Sequence, residues 1–402
     1  MADFPLPSVD RNDSSDNTYK TMSSLPTSSQ ISGCKDGSQA ELCDVWRDIQ
    51  GANNWNGLLD PINPILKSEA LRYGHFARLC YDAFDGDGYG TCKHSKRELF
   101  DKMGVSNTVC IGYQVTKYIY ANTDVLRSFF GDKSQDIKGV WLGFVAVSVD
   151  TNQLRRLGRR DIVIVWRGNQ TTQEWIQDLK DFLVPARLSY KCERTCKDRQ
   201  PANEGVRIER GFLTCYTSTI HHHEDSVGKF ANVSARDLVI AEICRLLKVY
   251  ENEIDDLSIT FTGHSLGAAL ATLSAYDIKQ MLNSKYCSRI PVTVFSFASP
   301  RVGNLAFAKQ VEQIGVKVLR LVNEADVVPK VPGVLLNENM GFLSKWLNWL
   351  PWTYFHVGVE LNFSNISPFS IHANNLAYSH KLDVYLNLLE GYNVSQALNS
   401  SP

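Results

Sequence analysis

One stretch constrains this chain more than any other. The stretch Leu257–Thr262 passes straight into Gly263-His264-Ser265-Leu266-Gly267, and a segment rich in small residues, Leu266–Met281, follows at once. The short stretch reads as a strand, and the longer segment as a helix. Strand, sharp turn and helix together are the context in which Gly-x-Ser-x-Gly carries chemistry. The serine must stand on a tight turn for its hydroxyl to project above the sheet. Gly263 and Gly267 leave room where the chain crowds itself, and His264 completes the elbow. Ala268, Ala269 and Ala271 let the helix pack closely on the sheet. A helix start offers unpaired N–H groups and partial positive charge. The N–H of Leu266 is therefore the first donor for an oxyanion, and losing such a donor costs about 3–4 kcal/mol in a barrier. These features imply that Ser265 is a nucleophile suited to attack on an ester.

The rest of the chain supplies the sheet that such an elbow needs. Val140–Val149, Asp161–Trp166, Val292–Ala298, Val316–Val322 and Val357–Phe363 read as strands. The continuous apolar run in Asp161–Trp166 marks a central strand. Ala235–Tyr250, Leu305–Ile314 and His380–Leu389 read as helices between and after them. This alternation predicts an α/β fold of the α/β-hydrolase type, with a mostly parallel central sheet and helices on both faces. Upstream, Trp46 and Ile49 stand three apart, and Tyr73, Phe76, Ala77 and Cys80 fall on one helical face. Pro61 and Pro64 separate the two segments. Residues 1–33 are rich in Ser, Thr, Asp and Pro, so the segment 1–40 is expected to be disordered. A single domain over 41–400 follows, with 41–135 its helical N-terminal part and 136–400 its catalytic sheet and helices.

Composition excludes other classes. A formal charge of −1 gives no electrostatic reason to expect nucleic acid. The short clusters Arg155-Arg156 and Arg159-Arg160 read as a solvated face. Ten cysteines scattered through 402 residues do not make a disulfide framework. Cys192 and Cys196 have no second ligand pair at zinc spacing, and Asp85-Gly86-Asp87-Gly88-Tyr89-Gly90 departs from a calcium loop at Tyr89 and Lys96. No metal is expected. His221-His222-His223 reads as an exposed run. No apolar run reaches 18 residues, so no transmembrane helix is expected. The N-terminus has no apolar h-region, and its early aspartates speak against a transit peptide. The expected location is intracellular: the cytoplasm, with the chloroplast as the alternative.

A serine nucleophile on this fold is followed in the chain by an acid and then a histidine. The loop after Val316–Val322 offers Asp326, with Glu324 as the alternative, and Pro329 turns the chain just beyond. His356, His372 and His380 come later. His356 begins a strand and reads as structural, whereas spacing alone does not separate His372 from His380. In such a triad the histidine removes the serine proton and later protonates the leaving alcohol. The acid holds the ring and stabilises the imidazolium. Activity should fall at acid pH, where the base is lost.

The chain resembles the class 3 lipases, and within them the plant phospholipase A1 branch. The resemblance spans roughly residues 44–393. It rests on Trp46-Arg47-Asp48-Ile49-Gln50-Gly51 with Leu59-Asp60-Pro61, Arg72-Tyr73-Gly74, and Cys80-Tyr81-Asp82-Ala83-Phe84. Gly158–Ile162, Trp166-Arg167-Gly168 with Glu174-Trp175, Gly263–Gly267, Pro300–Asn304 and Asp326–Lys330 extend it. It implies His380 as the base, because His380-Lys381-Leu382-Asp383 matches the family segment that leads into the last helix. It implies Asn169, after Arg167-Gly168, as the second oxyanion donor, although the family usually has Thr or Ser there. Ala268 is a second departure, where the wider class often has Gly. Neither touches the triad. The implied activity is hydrolysis of the sn-1 acyl ester of glycerolipids: phospholipids first, then galactolipids or triacylglycerols. The resemblance implies no cofactor.

Such a substrate sits in a surface. Phe342, Leu343, Trp346, Leu347, Trp349, Leu350 and Trp352 form an aromatic cluster beside Lys345. Trp346, Trp349 and Trp352 suit peripheral contact with a lipid–water interface, and core packing is the competing explanation. Two other functions compete: a non-lipid carboxylesterase, and a silent ligand-binding relative. The presence of Ser265, Asp326 and His380 speaks against the second.

Overall fold

The computed structural model describes residues 41–86, 90–122, 139–169, 182–188, 205–220, 233–286, 289–332, 353–363 and 376–399. The disorder expected over residues 1–40 lies outside them. A seven-stranded sheet organises the described residues: β1 Tyr113–Asn122, β2 Gly139–Ser148, β3 Arg160–Trp166, β4 Leu257–His264, β5 Val292–Phe297, β6 Val316–Val322 and β7 Val359–Asn362. The strands lie side by side in chain order. β1 to β3 pair antiparallel, and β3 to β7 pair parallel.

Helices frame the sheet, among them α1 Leu42–Ile49, α2 Pro64–Asp82, α3 Ala235–Val249, α4 Leu266–Tyr286, α5 Leu305–Gln313 and α6 Leu382–Asn399. Their starts are chemically marked. Asn63 accepts from the N–H groups of Ile65 and Leu66 ahead of α2, and Pro64 costs nothing at the first helical position. Ser234 and Asp237 form a capping box at α3.

The strand period of two sorts the side chains into two cores. Ile162, Ile164 and Trp166 of β3 pack with α3 and α4 on one face. Val163 and Val165 pack with α1, α2 and α6 on the other. Both faces of the central strands are covered, as the uninterrupted apolar run of β3 requires.

Two expectations need correction. The region 41–135 is not helical throughout, because β1 lies inside it and pairs with β2. Register shifts between Val115 and Lys117 and between Ile119 and Tyr120 interrupt the alternation that would have exposed it. Nor do Arg159 and Arg160 lie on a solvated face: they are 1% and 6% exposed.

Arg159 belongs to a buried cluster at the amino ends of β3 and β4. Asp161 accepts from the hydroxyls of Tyr73, Tyr113, Ser258 and Thr260 at 2.7–2.8 Å. Arg72 and Arg159 lie 3.8 and 4.0 Å from it, and Glu69 pairs with Arg72. Burial alone would raise the Asp161 pKa, but Arg159, Arg72 and the hydroxyls of Ser258 and Thr260 hold it below the usual range. The cluster clamps α2 to the sheet at the end opposite the Gly-x-Ser-x-Gly elbow.

Candidate active site

β4 ends at His264, and Ser265 turns the chain into α4. Ser265 adopts φ 60°, a left-handed conformation that a residue with a Cβ holds only under strain. The flanking glycines are obligatory. A Cβ on Gly263 would lie 2.4 Å from the backbone of Gly267, and one on Gly267 would lie 2.3 Å from the Trp166 carbonyl oxygen. The backbone N–H of Ser265 donates to the Phe297 carbonyl at 2.9 Å, tying the turn to β5.

The other two expected residues meet Ser265. His380 stands in the turn before α6, and its Nε2 is 2.8 Å from Ser265 Oγ. Its Nδ1 is 2.7 Å from Asp326 Oδ2. Asp326 lies in the loop after β6, and its Oδ1 accepts from the Val328 N–H at 2.9 Å. Ser265, Asp326 and His380 are 1%, 0% and 2% exposed. Since a carboxylate only accepts, Nδ1 of His380 carries the proton and Nε2 is left to face the serine hydroxyl. Glu324, the alternative acid, is exposed.

The acid loop and the histidine turn are stitched together. Asn323 Nδ2 donates to the Ser379 carbonyl at 3.0 Å, and Ser379 Oγ donates to the Ala325 carbonyl at 3.1 Å. Tyr385, on the first turns of α6, donates its hydroxyl to Asp326 Oδ2 at 2.7 Å and accepts from the Asn323 N–H at 3.2 Å. Spacing gave no sign of Tyr385, because its partners lie about sixty residues upstream.

The two expected oxyanion donors flank the elbow. Leu266 opens α4, where an N–H has no partner within the helix. Asn169 is buried in the segment that follows β3. Gly168 holds that segment against the elbow: a Cβ there would lie 2.1 Å from the Tyr81 hydroxyl and 2.4 Å from the His264 carbonyl. Tyr81 was also missed, since its ring partner His264 is 183 residues away.

His356 is not part of this group. It donates to the backbone at Pro329, and burial, with Arg320 and Arg301, pushes its pKa down to about 2. His372, His221-His222-His223, Cys192, Cys196, Trp346, Trp349 and Trp352 lie outside the described residues. No helix among the described residues is long and apolar enough to cross a membrane.

The chain is similar to known proteins over most of its length. The profile of class 3 lipases matches residues 163–336, from within β3 to beyond Asp326. Phospholipase A1-Igamma2, chloroplastic, of Arabidopsis thaliana is 46% identical over 368 residues, covering 88% of this chain and 66% of that protein. Phospholipase A1-Igamma1, chloroplastic, of the same plant is 45% identical, covering 89% and 70%. Galactolipase DONGLE, chloroplastic, also from Arabidopsis thaliana, is 42% identical, covering 87% and 70%. Among solved structures, the native Rhizomucor miehei lipase propeptide complex is 21% identical with a TM-score of 0.46, covering 76% of this chain and 71% of that one. The elbow, the matched profile and these relatives agree: the chain belongs to the class 3 lipase family, in its plant phospholipase A1 branch.

Proposed function

We propose that this protein is a serine acyl hydrolase that cleaves the sn-1 acyl ester of glycerolipids, with Ser265, His380 and Asp326 as its triad. One observation carries the reading: a single imidazole bridges the Ser265 hydroxyl at 2.8 Å and the Asp326 carboxylate at 2.7 Å. His380 Nε2 takes the serine proton as Oγ attacks the ester carbonyl. The tetrahedral oxyanion is received by the N–H groups of Leu266 and Asn169. His380 then returns the proton to the leaving alcohol, and the acyl group stays on Ser265. Water, deprotonated by the same imidazole, releases the fatty acid. Asp326 holds the ring in the tautomer that leaves Nε2 free to accept.

Phospholipid is the first substrate class, because the most similar relatives above are named phospholipases A1. Galactolipid is the second, because a relative 42% identical is named a galactolipase. The names of all three relatives carry "chloroplastic", which favours a plastid over the cytoplasm expected from the sequence. Trp346, Trp349 and Trp352 are assigned to peripheral contact with the lipid surface. Replacing Trp346 and Trp349 should weaken vesicle binding yet spare a short soluble ester. Equal loss on both substrates would assign them to folding.

The deciding experiment assays phosphatidylcholine, monogalactosyldiacylglycerol and triacylglycerol with wild type and Ser265→Ala, reading which glycerol carbon loses its fatty acid. Release from the sn-1 carbon that vanishes in the variant supports the reading. Release that persists in the variant overturns it.

A further inference from the structure

Two side chains lie beside the triad without belonging to it. His264 is 4% exposed and sits between Tyr81 and the backbone of His380. Its Nε2 is 2.7 Å from the His380 carbonyl oxygen, and its Nδ1 is 2.9 Å from the Tyr81 hydroxyl. The Tyr81 oxygen in turn receives the N–H of Gly168.

The direction of every bond in this chain is forced. A peptide carbonyl only accepts, so Nε2 of His264 carries the proton. The neutral ring then presents a lone pair at Nδ1, and Tyr81 donates to it. The Tyr81 oxygen is left to accept from Gly168. Burial, and then the charge that His380 would bear, hold the His264 pKa well below its ordinary value. His264 therefore stays neutral while His380 carries the serine proton, and the bond directions survive the reaction cycle.

The ends of this chain matter. One end is the N–H of Gly168, one residue before the Asn169 N–H, and the other is the carbonyl of His380 itself. We propose that Tyr81 and His264 form a positioning relay that holds the oxyanion segment and the catalytic imidazole in one register; the inference rests on the hydrolase reading above. Neither side chain hydrogen-bonds a reacting atom, although the His264 ring packs against the His380 ring with centroids 4.7 Å apart. They fix the distance between two groups that must act in the same step, the base on Ser265 and the donor to its oxyanion. Hydrogen bonds aligned head to tail strengthen one another, so the relay acts as a unit. Gly168 fits the same account, since any Cβ there would displace the Tyr81 hydroxyl.

The test measures kcat and KM on a soluble short-chain ester for wild type, Ser265→Ala, Tyr81→Phe, His264→Gln and the Tyr81→Phe/His264→Gln double variant. Tyr81→Phe should lower kcat by about ten- to a hundredfold, as expected for a catalytic group displaced by a fraction of an ångström to one ångström. Its KM should stay within about twofold of wild type. The double variant should be no slower than His264→Gln alone, because both changes break one link. A Tyr81→Phe kcat within about threefold of wild type overturns the relay, as does a double variant whose loss is the product of the single losses. Should Tyr81→Phe lose its fold by circular dichroism, His264→Gln decides: a fall in kcat at unchanged KM supports the relay, and a wild-type kcat overturns it. A wild type with no Ser265-dependent hydrolysis sinks the hydrolase reading and the relay with it. Ser265-dependent hydrolysis with an unimpaired Tyr81→Phe sinks the relay alone.

Discussion

Tyr385 donates its hydroxyl to the same carboxylate oxygen of Asp326 that holds the His380 ring, at 2.7 Å in both cases. The carboxylate is thus fixed from α6 as well as from the turn that carries the base. Tyr385→Phe should lower kcat by about tenfold, since Asp326 can then rotate away from Nδ1. The buried Asn323 N–H also loses its acceptor, which should cost about 1–3 kcal/mol of stability. Steady-state kinetics with urea unfolding of the same variant checks both effects. An unchanged kcat would show that Val328 and His380 suffice to hold the acid.

Strain at the nucleophile can be read from stability. Ser265 holds φ 60°, which a Cβ makes unfavourable by about 1–2 kcal/mol. Ser265→Gly and Ser265→Ala should both be inactive, with the glycine variant melting higher than the alanine variant. If alanine melts at the same temperature or above, the turn stores no strain.

The buried cluster at the opposite end of the sheet should behave as a unit. Asp161→Asn leaves Arg72 and Arg159 short of a counter-charge in the interior, which should cost about 3–5 kcal/mol. Because the folded pKa of Asp161 is depressed, its contribution is present above the unfolded value of about 3.9 and is lost as pH falls through the folded pKa. Urea unfolding at pH 7 reads the cost. Acid unfolding from pH 5 downward should be flatter in the variant, and an equal slope would deny the carboxylate its role.

Two buried histidines set a second pH window. His356 is pushed down to about 2 and His264 well below its ordinary value, by burial first in both cases. A histidine with a depressed folded pKa stabilises the fold above its unfolded value of about 6.5, and that stability is lost as pH falls below it. Unfolding free energy should therefore decline from pH 7.5 to 5.5, and the slope should shrink by about one proton in His356→Gln. A flat profile over that range would mean that both rings protonate as freely in the folded protein as in the unfolded chain.

Local chemistry made much of this protein legible from its sequence. Gly263, Ser265 and Gly267 announce a strand–turn–helix because few other residues tolerate so close a turn, and apolar runs such as Asp161–Trp166 announce strands covered on both faces. Asp326 followed from its place after β6. The sequence did not by itself separate His372 from His380, expose β1 behind its register shifts, or reveal that Arg159 is buried against Asp161. Nor did it join Tyr81 to His264 or Tyr385 to Asp326. Those facts depend on which surfaces the sheet and its helices bring together across separations of 59 and 183 residues. Periodicity reports only on neighbours within a turn or a strand. Contacts across the fold are decided when both faces of the sheet close, and the relations around Ser265 exist only from that point.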